Sequence, residues 1–202
     1  MANRPVLDFW FDFASTYSWL SATRIDALAK EHGVDLRWRP FLLGPIFAAQ
    51  GWNSSPFNLF PAKGRYMWRD VTRRAGRHGL KVVKPDPFPQ NSLVAARVAL
   101  AGREAGWMAA FSVALLQAQF TQGASISDEA VLVATLKAAG ADAGAALAQS
   151  RSEEVKGRLK AETELAKSLG IFGAPTFVTA DGELFWGDDR LEEALSWAND
   201  GQ

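Results

Sequence analysis

Val6-Leu7-Asp8-Phe9-Trp10-Phe11-Asp12-Phe13-Ala14-Ser15-Thr16-Tyr17-Ser18-Trp19-Leu20 reads as an apolar strand that breaks at Asp12 to Ser15 and enters a helix. The helix is signalled by apolar residues at helical spacing, Trp19, Leu20, Ile25 and Leu28. At such a junction the first backbone N–H groups have no intrahelical acceptor and the helix dipole is positive, so an anion beside Ser15 would be stabilised. Ser15 equally suits plain capping of the helix, a position at which serine is preferred. The junction alone leaves both readings open.

Outward from it, Gly33 ends the helix and Val34-Asp35-Leu36-Arg37-Trp38-Arg39 alternates apolar and charged residues as a half-buried strand, closed by Pro40. Strand, helix and strand in this order predict a right-handed βαβ unit with parallel strands. Phe41 to Pro61 is dense in Gly, Pro, Asn and Ser and is expected to be an irregular loop. A helix follows over Lys63 to Arg74, then a Pro-rich connection over Lys84 to Gln90. Helices are predicted over Ser92–Gly102, Trp107–Phe120, from Ser127-Asp128-Glu129 through Leu136, in the Ala- and Gly-rich stretch to Gln149, and over Ser152–Leu169. The pattern then returns to β. Gly173-Ala174-Pro175-Thr176-Phe177-Val178-Thr179, a strand that a proline enters, and Glu183-Leu184-Phe185-Trp186 flank the turn signal Asp181-Gly182, and Leu191 to Ala198 closes the chain as a helix. The expected architecture is one α/β domain over residues 1–202, with a core at 5–40 and 170–200 and a helical insertion at about 41–169.

Composition narrows the chemistry. The 22 Lys and Arg balance the 22 Asp and Glu, so no basic field is offered to nucleic acid or an anionic membrane. No apolar run is long enough to span a bilayer, and Met1 to Pro5 lacks the apolar core of a signal peptide, giving the expectation of a cytoplasmic protein. With 0 cysteines there is no protein thiol nucleophile and no cysteine metal site. The two histidines, His32 and His78, each sit beside a glycine at an expected helix end, without a nucleophile at a recognisable spacing. No metal site is expected.

The order βαβ, helical block, ββα resembles the thioredoxin-like fold in its DsbA-like arrangement. Phe11-Asp12-Phe13-Ala14-Ser15-Thr16-Tyr17-Ser18, Lys63-Gly64-Arg65-Tyr66, Phe172-Gly173-Ala174-Pro175-Thr176 and Trp186-Gly187-Asp188-Asp189-Arg190-Leu191 resemble the motifs of 2-hydroxychromene-2-carboxylate isomerases and the related kappa-class glutathione transferases. The resemblance spans roughly Leu7 to Trp197. It implies glutathione as cofactor, with Ser15 facing its sulfur as the catalytic residue and Pro175 as a cis-proline. Ala174 would offer backbone groups to the cysteinyl part, and Asp189 and Arg190 would hold the γ-glutamyl end. Lys63 and Asn53 are implied near the glycine carboxylate or the substrate, with Tyr17 and Asp188 completing the cofactor-binding set. A homodimer and a small aromatic substrate are implied as well.

Two positions depart from the family pattern. Thr16 stands where proline is usual, which would put a second hydroxyl beside the sulfur. Asp188 stands where the isomerases have Asn and the transferases Ser, adding a negative charge. Trp10, Trp19, Trp52, Trp68 and Phe88 are candidates for an aromatic substrate wall. The implied activity is a glutathione-dependent isomerase using reversible thiolate addition. The alternatives are a kappa-like transferase that conjugates electrophiles and a non-catalytic thioredoxin-like binding module.

Overall fold

A computed structural model describes residues 4–200. Met1, Ala2 and Asn3, read above for a leader, and the last two residues of the expected 1–202 domain lie outside it. Strand β1 (Val6–Phe11) pairs in parallel with β2 (Asp35–Pro40), and on its other side antiparallel with β3 (Thr176–Thr179), which pairs with β4 (Leu184–Trp186). The sheet order is β2-β1-β3-β4, so the most apolar strand lies inside the sheet.

Alternation along β1 divides the core. Leu7, Phe9 and Phe11 enter a large cluster with Trp38, Phe177 and Leu191, while Trp10 faces a smaller one with Phe41, Ile46, Ala166, Ile171 and Val178. The Phe9 ring lies 5.2 Å from Phe11, 5.0 Å from Trp38 and 5.6 Å from Phe177, centroid to centroid.

The first helix is two helices, α1 (Thr16–Ala22) and α2 (Ile25–His32), rather than one run to Gly33. The Thr23 hydroxyl donates to the Leu20 carbonyl and Arg24 leaves helical geometry at φ −133°, which breaks the run. Gly33 closes α2 at φ 70°, the left-handed conformation that glycine adopts without a Cβ penalty. The segment 41–61, expected to be irregular, contains α3 (Leu43–Ala49) and α4 (Pro56–Leu59). Proline explains both, since Pro45 and Pro56 fall in first turns, where no N–H is needed. Neither has enough apolar periodicity to announce itself.

The helical block continues with α5 (Pro61–Arg77), α6 (Leu93–Ala101), α7 (Met108–Gln122), α8 (Glu129–Ala138), α9 (Ala143–Ser150) and α10 (Glu153–Ser168). A 3-10 turn, Asp188–Arg190, leads into α11 (Leu191–Asp200). His32 ends α2 and His78 caps α5. Among the described residues no helix is long and apolar enough to cross a membrane.

Helices α4 and α5 approach closely at Gly64, where an added Cβ would stand 2.3 Å from the Phe57 backbone oxygen. Gly64→Ala is therefore expected to destabilise the fold by about 1–3 kcal/mol, because backbone has to move. Denaturant titration measures this as a lower midpoint.

Candidate active site

The turn after β1 is pinned by Asp12. Its carboxylate accepts from the Ala14 N–H at 2.7 Å and the Leu43 N–H at 2.8 Å, so the same side chain fixes the entry to α1 and the start of α3. Burial pushes the Asp12 carboxyl above the usual range, and the Leu43, Ala14 and Ser92 hydrogen bonds oppose that shift.

Ser15 then caps α1, accepting from the Ser18 N–H at 3.1 Å. Its own proton goes across the molecule, to the Ala174 carbonyl at 2.8 Å. Capping and cross-chain bonding coexist in one hydroxyl. Because α1 has seven residues, attraction for an anion here comes from this hydroxyl and the open Thr16 and Tyr17 N–H groups more than from a long dipole.

Ala174 precedes Pro175 through a cis peptide bond. Pro175 is buried and accepts from the Gly187 N–H at 3.0 Å, which brings the turn after β4 alongside. Among the described residues the Ala174 N–H meets no acceptor.

A cavity of about 1460 Å³ opens over this junction. Ser15, Tyr17, Asn53, Lys63, Ala174, Asp188, Asp189 and Arg190 all line it, whereas Pro175 lies behind. Lys63, Asn53, Asp189 and Arg190 are exposed side chains. The Lys63 ammonium lies 4.7 Å from the Phe60 ring centroid, and Arg190 pairs with Glu193 at 3.1 Å.

Three of the side chains named for this site have partners within the protein. The Thr16 hydroxyl is engaged within the protein, its Oγ1 donating to Met67 Sδ at 3.3 Å, and the residue is buried. The Tyr17 hydroxyl donates to Asp70 at 3.0 Å, leaving only its ring for the cavity, and burial with the Asp70 charge pushes its pKa well up. Asp188 is 2% exposed at the cavity wall, and its carboxylate is engaged by the Ser21 hydroxyl, Arg24 and Arg74.

Of the aromatic candidates, Trp52 and Phe88 line the cavity. Trp10 and Trp19 are fully buried core, and Trp68 stands behind Phe88 at 4.8 Å between ring centroids. Phe47, Phe57, Phe172 and Trp186 complete the apolar wall and were missed, as were the cavity-lining Asp70 and Arg74. Asp70 and Arg74 are four apart on α5, but that spacing also describes an ordinary solvated pair. Among the described residues no group of three or more His, Cys, Asp or Glu could hold a metal ion.

A four-stranded mixed sheet, a serine-capped helix start and an adjoining cis-proline edge, with a helical block between the two halves, define the thioredoxin class of protein. Within it, the chain belongs to the DSBA-like thioredoxin domain family, which it matches over residues 6–196. It is 29% identical over 196 residues to a 2-hydroxychromene-2-carboxylate isomerase of Sphingobium xenophagum, covering 96% of this chain and 98% of that one. A solved structure of a 2-hydroxychromene-2-carboxylate isomerase superposes with a TM-score of 0.83 at 28% identity, over 95% of this chain and 93% of the other. Glutathione S-transferase kappa 1 of Rattus norvegicus is 26% identical, over 93% of this chain and 88% of its own length.

Proposed function

We propose that the protein is a glutathione-dependent isomerase acting on an aromatic substrate of the 2-hydroxychromene-2-carboxylate or o-hydroxybenzylidenepyruvate type. The observation that carries the reading is the Ser15 hydroxyl, bonded to the Ala174 carbonyl inside an aromatic-walled cavity of a chain with 0 cysteines. A DsbA-like site with serine here has no thiol of its own, so the thiol is brought in.

The residues present fit glutathione. The free Ala174 N–H and its carbonyl offer the paired backbone groups with which a peptide adds to a sheet edge. Two exposed cations, Lys63 and Arg190, and one exposed anion, Asp189, match the two carboxylates and the ammonium of the tripeptide. Lys63→Met is expected to weaken glutathione binding about tenfold, measured by calorimetry, because one charge-assisted contact is lost.

When bound, glutathione supplies a thiolate that bonds reversibly to an electron-poor carbon of the substrate and leaves again, so that a double bond can change geometry with no net consumption. Ser15 would hold that thiolate by turning its O–H from the Ala174 carbonyl to the sulfur. The Ala174 carbonyl would then be open to a peptide N–H of the cofactor, as at a sheet edge. Phe47, Trp52, Phe57, Phe88, Phe172 and Trp186 supply the apolar wall for the aromatic ring and exclude water from it.

The test is the interconversion of 2-hydroxychromene-2-carboxylate and its open benzylidenepyruvate isomer, followed by absorbance while glutathione is titrated from zero. A rate that rises and saturates without glutathione consumption supports the proposal, and no conversion at any concentration overturns it. Similarity to a kappa-class transferase favours conjugation as the second reading. A stable substrate–glutathione adduct in mass spectrometry would decide for it.

A further inference from the structure

We propose that Asp188 and Arg74, at the wall of the cavity, are positioning residues that set the glutathione grip through a partly buried ion cluster. The Asp188 carboxylate accepts from the Ser21 hydroxyl at 2.9 Å and from Arg24 at 3.1 Å, and it also binds Arg74. Arg24 further donates to the Asp188 backbone carbonyl at 2.8 Å and binds Glu192. One inward carboxylate thus joins α1, the α1–α2 break, α5 and the 3-10 turn.

Asp188 and Arg74 themselves line the cavity, and the cluster acts on its wall in two directions. Forward, Asp188 is the first residue of the turn that presents Asp189 and Arg190. Gly187 enters this turn at φ 113°, a conformation closed to most side chains, and the cluster adds side-chain anchors to the backbone bond from Gly187 to Pro175. Sideways, Arg74 reaches Asp70 at 3.5 Å, and Asp70 accepts the Tyr17 hydroxyl. The same ions therefore hold the γ-glutamyl side and the Tyr17 wall in register.

This also explains why an acid occupies position 188. Ser21 alone would be served by a neutral acceptor. Two partly buried guanidinium groups converging on one site are balanced by an anion between them, and removing it leaves charge uncompensated. The break between α1 and α2 is part of the cluster too, since Arg24, the residue at the interruption, is the one that reaches the turn.

The ligand half of this proposal rests on the glutathione reading, and its backbone half does not, so two measurements separate them. Calorimetric titration with glutathione is expected to show Asp188→Asn binding about tenfold more weakly than the unaltered protein. A merely unfolded fraction would lower the number of competent sites and leave Kd unchanged. Arg74→Gln is expected to weaken binding similarly, and the double variant to bind no more weakly than Asp188→Asn alone, because both act on one cluster. Multiplicative losses of about 100-fold in the double variant, or a Kd within twofold of the original in Asp188→Asn, would overturn the proposal. Hydrogen–deuterium exchange without ligand is expected to be at least tenfold faster over 188–191 in Asp188→Asn. Unchanged exchange there overturns the positioning role, whereas failure of the unaltered protein to bind glutathione overturns the cofactor while the exchange result still decides the cluster.

Discussion

Replacing Ser15 by alanine is expected to lower turnover at saturating glutathione by about 100-fold, the usual loss when one donor to a developing or held anion is removed. The variant also loses the α1 cap, worth about 1 kcal/mol, so its melting temperature falls modestly while it remains folded. The two effects separate in one experiment, since thermal unfolding reads the cap and stopped-flow absorbance reads the chemistry. The thiol pKa of bound glutathione, followed by ultraviolet difference absorbance, is expected to rise in parallel. Turnover within threefold of the unaltered protein would sink the role given to Ser15.

The second large effect lies in the sheet. Phe9 is fully buried, stacks on Phe11 and Phe177 and meets Trp38 edge-on, and these belong to three different strands of the sheet, β1, β3 and β2. Phe9→Ala removes the ring on which these pairings close, and a loss of about 3–5 kcal/mol is expected from transfer and cavity costs together. For a chain of this size that lowers the midpoint of thermal unfolding by roughly 10 °C. Calorimetry checks it, and a shift under a few degrees would mean that the neighbouring rings collapse into the space.

What could be read from residues alone was what local chemistry decides. The apolar strand β1, the serine at the helix start, the Asp181-Gly182 turn and the proline at the third strand are each written in a few adjacent residues. Gly182 donates its N–H back to Thr179 at 3.0 Å, as that turn requires. The missed features depend on partners far away in the chain. Asp188 finds Arg74 and Arg24 at separations of 114 and 164 residues, and no local pattern distinguishes an inward carboxylate from a solvated one at a helix start. Tyr17 and Asp70 are 53 apart, so the loss of the tyrosine hydroxyl to the protein was equally invisible. Trp10 and Trp19 show the converse. Their spacing allowed either wall or core, and strand alternation placed Trp10 in a second core on the far face of the sheet.

The bond from Ser15 to Ala174 has a bearing on which sulfur compounds the proposed enzyme would accept. A thiolate that draws the hydroxyl to itself orphans the carbonyl it came from. A cysteine inside a peptide repairs this with its own amide, whereas a simple alkyl thiol has nothing to offer in return. An unpaired polar group costs up to about 1–3 kcal/mol. The resting contact would therefore act as a filter, turning away small thiols that are just as nucleophilic but lack an amide beside the sulfur.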